Sequence, residues 1–346
     1  MMSRILMILL LVMSLVITLQ IGAVRIAWFD WQALFDGVFT RLLSNAPPPP
    51  FDGNAYVLWH LRIPRVLLAI FVGGSLGLAG SMVQGLFRNP LADPSLLGIT
   101  SGAACAAALT IVVLTDINLA VPRDVRIWLL PIASFLGAFI TCMSLNAGSR
   151  WLTSGSMAGL LLLGIAFNAL GVAVIGLCTY LATDEQLRSL SFWTLGSLAG
   201  ASWTMVLLVG SVLLGGYAWS RNMADRLNAM SLGETTAVHL GVAINRMRWT
   251  TSVLVALLAG MSVAFCGVIG FVGLIAPHLA RMLVGADQNI LMPVSVLLGA
   301  VLLLVADTFA RVLVIPAEIP VGIFTALLGG PFLMLLLRSS RFSTGG

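Results

Sequence analysis

Apolar residues gather in ten long runs, at about 5–24, 64–86, 95–115, 127–147, 157–180, 192–219, 250–270, 272–285, 292–311 and 321–338. An α-helix needs roughly 20 apolar residues to cross a bilayer core. The pattern therefore predicts an all-α integral membrane protein with about ten transmembrane helices, in a single domain spanning 1–346. Several runs contain Gly, Pro or Ser, which membrane helices tolerate when neighbours satisfy the freed backbone groups. Gly73, Gly77 and Gly80–Ser81 fall at small-xxx-small spacing in one run, and Gly196 and Gly200 are four apart in another. Such spacing lets helix backbones approach closely. Arg4 precedes the first run, Ile5–Val24, which is longer than a signal-peptide core and lacks a small-x-small cleavage site. It is expected to be an uncleaved first helix.

Two polar connections are long. Segment 25–62 carries Asp30, Asp36, Asp52 and the run Pro47–Pro50, and reads as an extended periplasmic connection. Segment 220–249 differs: helical spacing recurs in Ala224–Met230 and Glu234–Leu240, which predicts short surface helices.

Composition sharpens this picture. The 346 residues are 59% apolar and 9% charged, with mean hydropathy +1.05. Soluble domains carry about 25% charged residues, so a cytosolic enzyme, a disordered chain and a disulfide scaffold are excluded. All 18 basic residues are arginine. A nucleotide-binding P-loop requires a lysine on the phosphates, so ATP-driven work must come from another subunit, and lysine Schiff-base chemistry is excluded too. The sequence pI near 9.6 does not signal nucleic acid, because the arginines stand singly between apolar runs. Cys105, Cys142, Cys178 and Cys266 lie inside apolar runs without a CxxC pair, and His60, His239 and His278 are far apart; neither set supports a metal site. With a cytoplasmic N-terminus, ten arginines fall inside and eight outside, so the positive-inside rule discriminates weakly. Leu67–Leu97 and Leu254–Leu283 both run through glycine-rich helix, a proline-containing break and more helix, a faint echo of an inverted repeat.

The most specific text is Gln84–Gly98, QGLFRNPLADPSLLG. Arg88, Asn89 and Asp93 are polar between two apolar runs, and Pro90 and Pro94 enforce a non-helical turn, a tight cytoplasmic hairpin. With Arg62-Ile-Pro-Arg65 upstream, with GFVGLIAPHLARM (270–282, including Pro277, His278 and Arg281) and with EIPVGIFTALLGGPF (318–332) downstream, the chain closely resembles the FecCD-type permeases, the membrane subunits of bacterial ABC importers for iron chelates, haem and cobalamin.

That resemblance implies ten helices per subunit, a pathway formed with a second copy, two ATPase subunits beneath it and a periplasmic substrate-binding protein above. It implies the bacterial inner membrane as location, no cofactor on this chain, and ATP with magnesium on the partner subunits. It implies coupling helices around Asn228, Leu232, Gly233, Glu234, Ala237, Leu240 and Gly241. The residues fit a docking knob: Leu232, Ala237, Leu240 and Val242 supply an apolar face, the glycines reorient the chain, and Glu234 suits a helix N-terminus. Arg62, Arg65 and Arg311 are implied as contacts for the binding protein; lipid contact or pairing with Asp307 or Glu318 is the alternative. The family's gate falls at 153–158, where no individual residue aligns. The text around RNPLADPSLLGITSGAA is most like haem permeases, which makes haem the expected cargo, then a ferric siderophore, then cobalamin. A gradient-driven transporter, the less favoured alternative, would need mid-membrane acids or a broken-helix ion site, and the sequence offers few such groups away from the ends; an intramembrane enzyme would need a catalytic set, and none is evident.

Overall fold

In a computed structural model, described over residues 2–21, 28–43, 53–113, 122–153, 157–315 and 317–343, the ten apolar runs contribute ten apolar helices, one each, of 13 to 30 residues. They are α1 (Met2–Gln20), α4 (Ile63–Phe87), α5 (Ile99–Val112), α6 (Arg123–Leu152), α7 (Met157–Leu181), α9 (Trp203–Arg221), α12 (Ile244–Cys266), α13 (Val272–Val284), α14 (Gln288–Val312) and α15 (Val321–Ser343). Shorter helices lie between them: α2 (Trp28–Leu43), α3 (Gly53–Tyr56), α8 (Asp184–Thr194), α10 (Ala224–Ser231) and α11 (Glu234–His239). No strand occurs among the described residues. Six spans are long and apolar enough to cross a bilayer, and four shorter apolar helices complete the ten. This is a multi-pass membrane protein. The end carrying Arg62 is called outer below, following the expected orientation.

Helix α4 is the axis. The most apolar window of its span is 83% buried, and it packs against α9, α12, α13 and α14. Lipid tails are as apolar as leucine, so this burial gains little from the hydrophobic effect, and close backbone packing holds membrane helices together instead. The glycine spacing supplies it: a methyl group on Gly73 would overlap the Gly299 carbonyl, one on Gly77 that of Ser295, and one on Gly80 that of Gly273. A second group, α5 with α6 and α7, packs alongside. Helix α7 is only 17% buried over its most apolar window, and Leu162, Ile165, Leu170, Val172 and Leu177 are exposed. Such a face is stable only against lipid or another membrane subunit.

Two expectations need correction. The run 192–219 is not one helix. A capping box at Thr183 and Gln186 starts α8, the chain leaves the helix at Gly196 (φ 67°), and the Ser202 hydroxyl accepts from the Met205 amide to start α9. The break packs at depth: the Ser197 amide donates to the Cys266 carbonyl at 2.8 Å. Gly196 and Gly200 thus lie in an irregular stretch, and only Gly196 meets a neighbouring backbone closely. Nor is 25–62 simply extended, since α2 lies within it and buries Leu34 against Ala55 and Leu58. Pro47–Pro50, Asp52 and Arg25 lie outside the described residues.

The two breaks of the internal echo hold Arg88 (φ 52°) and Phe271 (φ 66°), the non-glycine residues in the left-handed region among those described. Arg88 ends α4, whereas Phe271 stands just before α13; the second break, 267–271, contains no proline, since Pro277 lies inside α13.

Candidate functional site

At the outer end, α4 is preceded by a π-helical turn, Val57–Arg62, a rare geometry that recurs at functional sites. It is braced sideways: the Trp59 and Trp203 rings pack at a tilt with centroids 4.8 Å apart, and Trp203 Nε1 donates to the Trp59 carbonyl at 3.0 Å. His60 lies 4.4 Å from the Tyr56 ring. The turn delivers Arg62 and Arg65 to one place.

There the three expected docking arginines meet two acids. Arg65 grips Asp307 through Nε (3.1 Å to both carboxylate oxygens) and Nη2 (2.9 Å), and reaches Glu318 through Nη1 at 2.7 Å. Arg311 Nε stands 3.2 Å from Asp307 Oδ2, one helical turn along α14. Arg62 Nη1 donates to the Leu19 carbonyl at 2.7 Å, and Arg311 Nη2 to the Thr18 carbonyl at 3.4 Å. These carbonyls belong to the last turn of α1, where unpaired acceptors and the negative end of the helix dipole favour a cation. Arg62 and Arg65 are 6% and 9% exposed. The guanidinium groups are therefore turned inward, not displayed as free rim charges, because burying them requires partners. The pairing with Asp307 and Glu318 is the arrangement this structure holds. The Asp307 side chain is fully buried, whereas Glu318 is 44% exposed.

At the inner end, α4 stops at Arg88, whose left-handed conformation returns its amide to the Gln84 carbonyl. The hairpin follows as expected. Asn89 accepts from the Leu91 amide at 2.9 Å, and Asp93 from the Ser95 amide at 2.8 Å, capping a 3₁₀ turn at Pro94–Leu97. Pro90 lies in the turn ahead of it, and buried Pro94 packs at the level of Gly273. Burial pushes the Asp93 carboxyl above its usual range, against the Ser95 hydrogen bonds that lower it.

Helices α10 and α11 project beside this hairpin. Gly233 (φ 109°) and Gly241 (φ 82°) turn the chain before and after α11, in conformations that disfavour a side chain. Glu234 sits in the first turn of α11 and pairs with Arg248 of α12 at 2.7 Å, with Arg88 at 3.9 Å. Asn228 bridges to the start of α14: its amide donates to Asp287 at 2.7 Å, and its carbonyl accepts from the Gln288 backbone at 2.9 Å. Asn289 adds a bond to Asp225 at 2.8 Å. The Asn228 side chain and the Asn289 backbone hold the Asp287 carboxyl below the usual range. The expected single apolar face divides in two. Ala237 and Val242 are buried, while Leu232, Val238 and Leu240 are 66%, 57% and 61% exposed. Sequence reading missed Val238, Arg248, Asp225 and Asn289; only the Asp-x-Asn start of α14 signals a helix cap.

Pro277 lies inside α13, next to His278, which meets Phe332 of α15 edge-on at 5.7 Å. Arg281 occupies the last turn of the same helix. This places the His278 ring of the signature between α13 and α15. The expected gate falls partly outside the described residues, at 154–156, with Thr153 bonded back to the Ser149 carbonyl at 2.7 Å.

The chain is similar to several known proteins. The hemin transport system permease protein HmuU of Yersinia pestis is 45% identical over 293 residues, covering 83% of this chain and 86% of HmuU. The vitamin B12 import system permease protein BtuC of Vibrio cholerae is 38% identical over 82% of this chain and 83% of BtuC. A metal-chelate type ABC transporter solved in an inward-facing conformation superposes with a TM-score of 0.80 at 34% identity, covering 96% of this chain and 97% of that one. With residues 9–339 matching the profile of the FecCD transport family, the chain built around α4 and α14 belongs to that family.

Proposed function

We propose that this chain is the transmembrane subunit of an ATP-binding-cassette importer that carries haem across the bacterial inner membrane. The observation that carries the reading is the 45% identity to a hemin permease along 83% of the chain. Two copies form the pathway, with the thinly packed face of α7 turned to partner or lipid. The chain holds no P-loop lysine, so two separate ATPase subunits bind ATP and magnesium, and no cofactor resides on this chain. They dock on the knob of Leu232, Val238 and Leu240, presented by Gly233 and Gly241 and anchored through Asn228, Glu234 and Ala237. A substrate-binding protein docks at the outer end, at the cluster of Arg62, Arg65 and Arg311. Uptake proceeds by alternating access, two populations whose balance the ATPase state shifts.

The test is ATP-driven uptake into proteoliposomes holding the assembled transporter and its binding protein, offered haem, a ferric siderophore or cobalamin. Haem accumulation is expected. Cobalamin accumulation with no haem uptake would reassign the cargo along the line of the BtuC relatives.

A further inference from the structure

The two carboxylates on Arg65 differ in what can replace them. Asp307 is fully buried on α14, takes two nitrogens of Arg65 and also faces Arg311. Nothing from outside can reach it without unpacking the helices. Glu318 is 44% exposed, makes one contact at 2.7 Å, and stands on the non-helical residues 317–320 before α15. No helical ladder fixes its backbone. One face of Arg65 is thus permanently occupied and the other is held by a carboxylate in reach of solvent.

We infer that Glu318 is an internal competitor: in the unbound permease it occupies the Arg65 nitrogen that a carboxylate on an acidic protein surface takes on docking. This rests on the reading that a binding protein docks at the outer end, and adds how that contact is made and released. Docking is then an exchange of one carboxylate for another at Nη1. Asp307 keeps Arg65 in place throughout, and Arg62 and Arg311 stay tied to α1 through Leu19 and Thr18. An exchange leaves the number of charge-assisted hydrogen bonds unchanged, so its net gain is small. It also spares the guanidinium from being buried without a partner, a state that is costly. Contact of this kind steers encounter and sets register without holding the partner tightly, which suits a binding protein that must leave after each delivery.

The experiment measures the Kd of the substrate-loaded binding protein for the complete transporter in lipid nanodiscs, at two salt concentrations. The proteins are wild type, E318Q, E318A and R65Q, and the R65Q/E318Q double variant. Both Glu318 variants leave the Arg65–Asp307 grip intact. E318Q and E318A are expected to bind about fivefold tighter than wild type, the scale of a half-exposed ion pair, with the gain reduced at high salt. R65Q is expected to bind more weakly, and E318Q to add nothing in that background. If R65Q weakens binding but the Glu318 variants bind like wild type or worse, the competitor assignment fails and docking at Arg65 stands. If R65Q binds like wild type, docking at Arg65 fails, and the competitor with it. Should R65Q not assemble, R65K replaces it, since it keeps the charge and loses the fork.

Discussion

Asp307 accepts from the Arg65 guanidinium and stands within ion-pair distance of Arg311, while its own side chain is fully buried. Replacing it by asparagine keeps the shape and leaves Arg65 and Arg311 short of a counter-charge. Removing one member of a buried charge set costs about 3–5 kcal/mol, so Asp307→Asn should lower unfolding stability in mixed micelles by that order. A loss no larger than that of an exposed-surface substitution would show the cluster to be dispensable. Glu318→Gln, at the wetter position, should cost under about 1 kcal/mol by the same measurement. At the inner end, Asp287 behaves oppositely to a buried acid. Its carboxyl is lowered by hydrogen bonds from Asn228 and Asn289, so its stabilising contribution is complete above the unfolded carboxyl value near 3.9. That contribution is lost as pH falls through the lower folded value. Hydrogen-exchange protection of the Gln288 and Asn289 amides should therefore weaken on acidification below about pH 4. In Asp287→Asn the same decline should be absent, because the group no longer titrates. Equal acid sensitivity in both proteins would place its cause elsewhere.

Among elements, the pairing of α4 with α14 and α13 is set by glycines that admit no side chain. Gly80→Ala would drive a methyl group into the Gly273 carbonyl, where backbone on both sides cannot yield cheaply. Overpacking costs about 1–3 kcal/mol or more, and loss of folded protein on gel filtration is the expected readout. Gly176→Ala and Gly215→Ala meet nothing within 4 Å and should purify like wild type; if Gly80→Ala does too, close approach is not what holds α4. This stripe was legible at Gly73, Gly77 and Gly80, because small residues at helical spacing have one structural use in lipid. The pair Gly196 and Gly200 has the same spacing and a different use. What separates them is the Thr183 capping box, the Ser202 cap and the left-handed Gly196, signals that hydropathy averages away. Helices α10 and α11 were legible to within a residue or two, since Gly233 and Gly241 punctuate them. Helix α2 was not, because its acids Asp30 and Asp36 and the prolines after it read as connection.

Across the whole molecule, α14 joins the two polar ends. It runs from the Asp287 cap to Arg311 in one piece, about 37 Å of helix. Its first turn is bonded to Asn228 of α10, and its outer part, one turn before Arg311, carries the acid that holds Arg65. The sequence names most of these residues but not who meets whom: Arg65 and Asp307 are 242 positions apart, and no local pattern records such a pair. Once placed, they make a mechanical argument. A force applied to the exposed Leu232, Val238 and Leu240 has three routes into the body: Glu234 to Arg248 on α12, Asn228 to the start of α14, and buried Leu227, Met230 and Ala237 in the core. The apolar trio and the polar bridge should then fail differently. Leu232→Glu with Leu240→Glu puts two charges where an apolar contact is needed, so the ATPase subunits should no longer copurify with the permease. Asn228→Ala leaves that knob untouched and removes two of the three polar bonds of the bridge to α14, leaving Asn289 to Asp225. The complex should assemble, hydrolyse ATP, and carry less cargo per ATP, by about tenfold if the bridge accounts for roughly 1.4 kcal/mol of coupling. The deciding quantity is the ratio of uptake to hydrolysis in the same vesicles. If Asn228→Ala lowers both in proportion, the bridge serves assembly alone and motion reaches the pathway through α12.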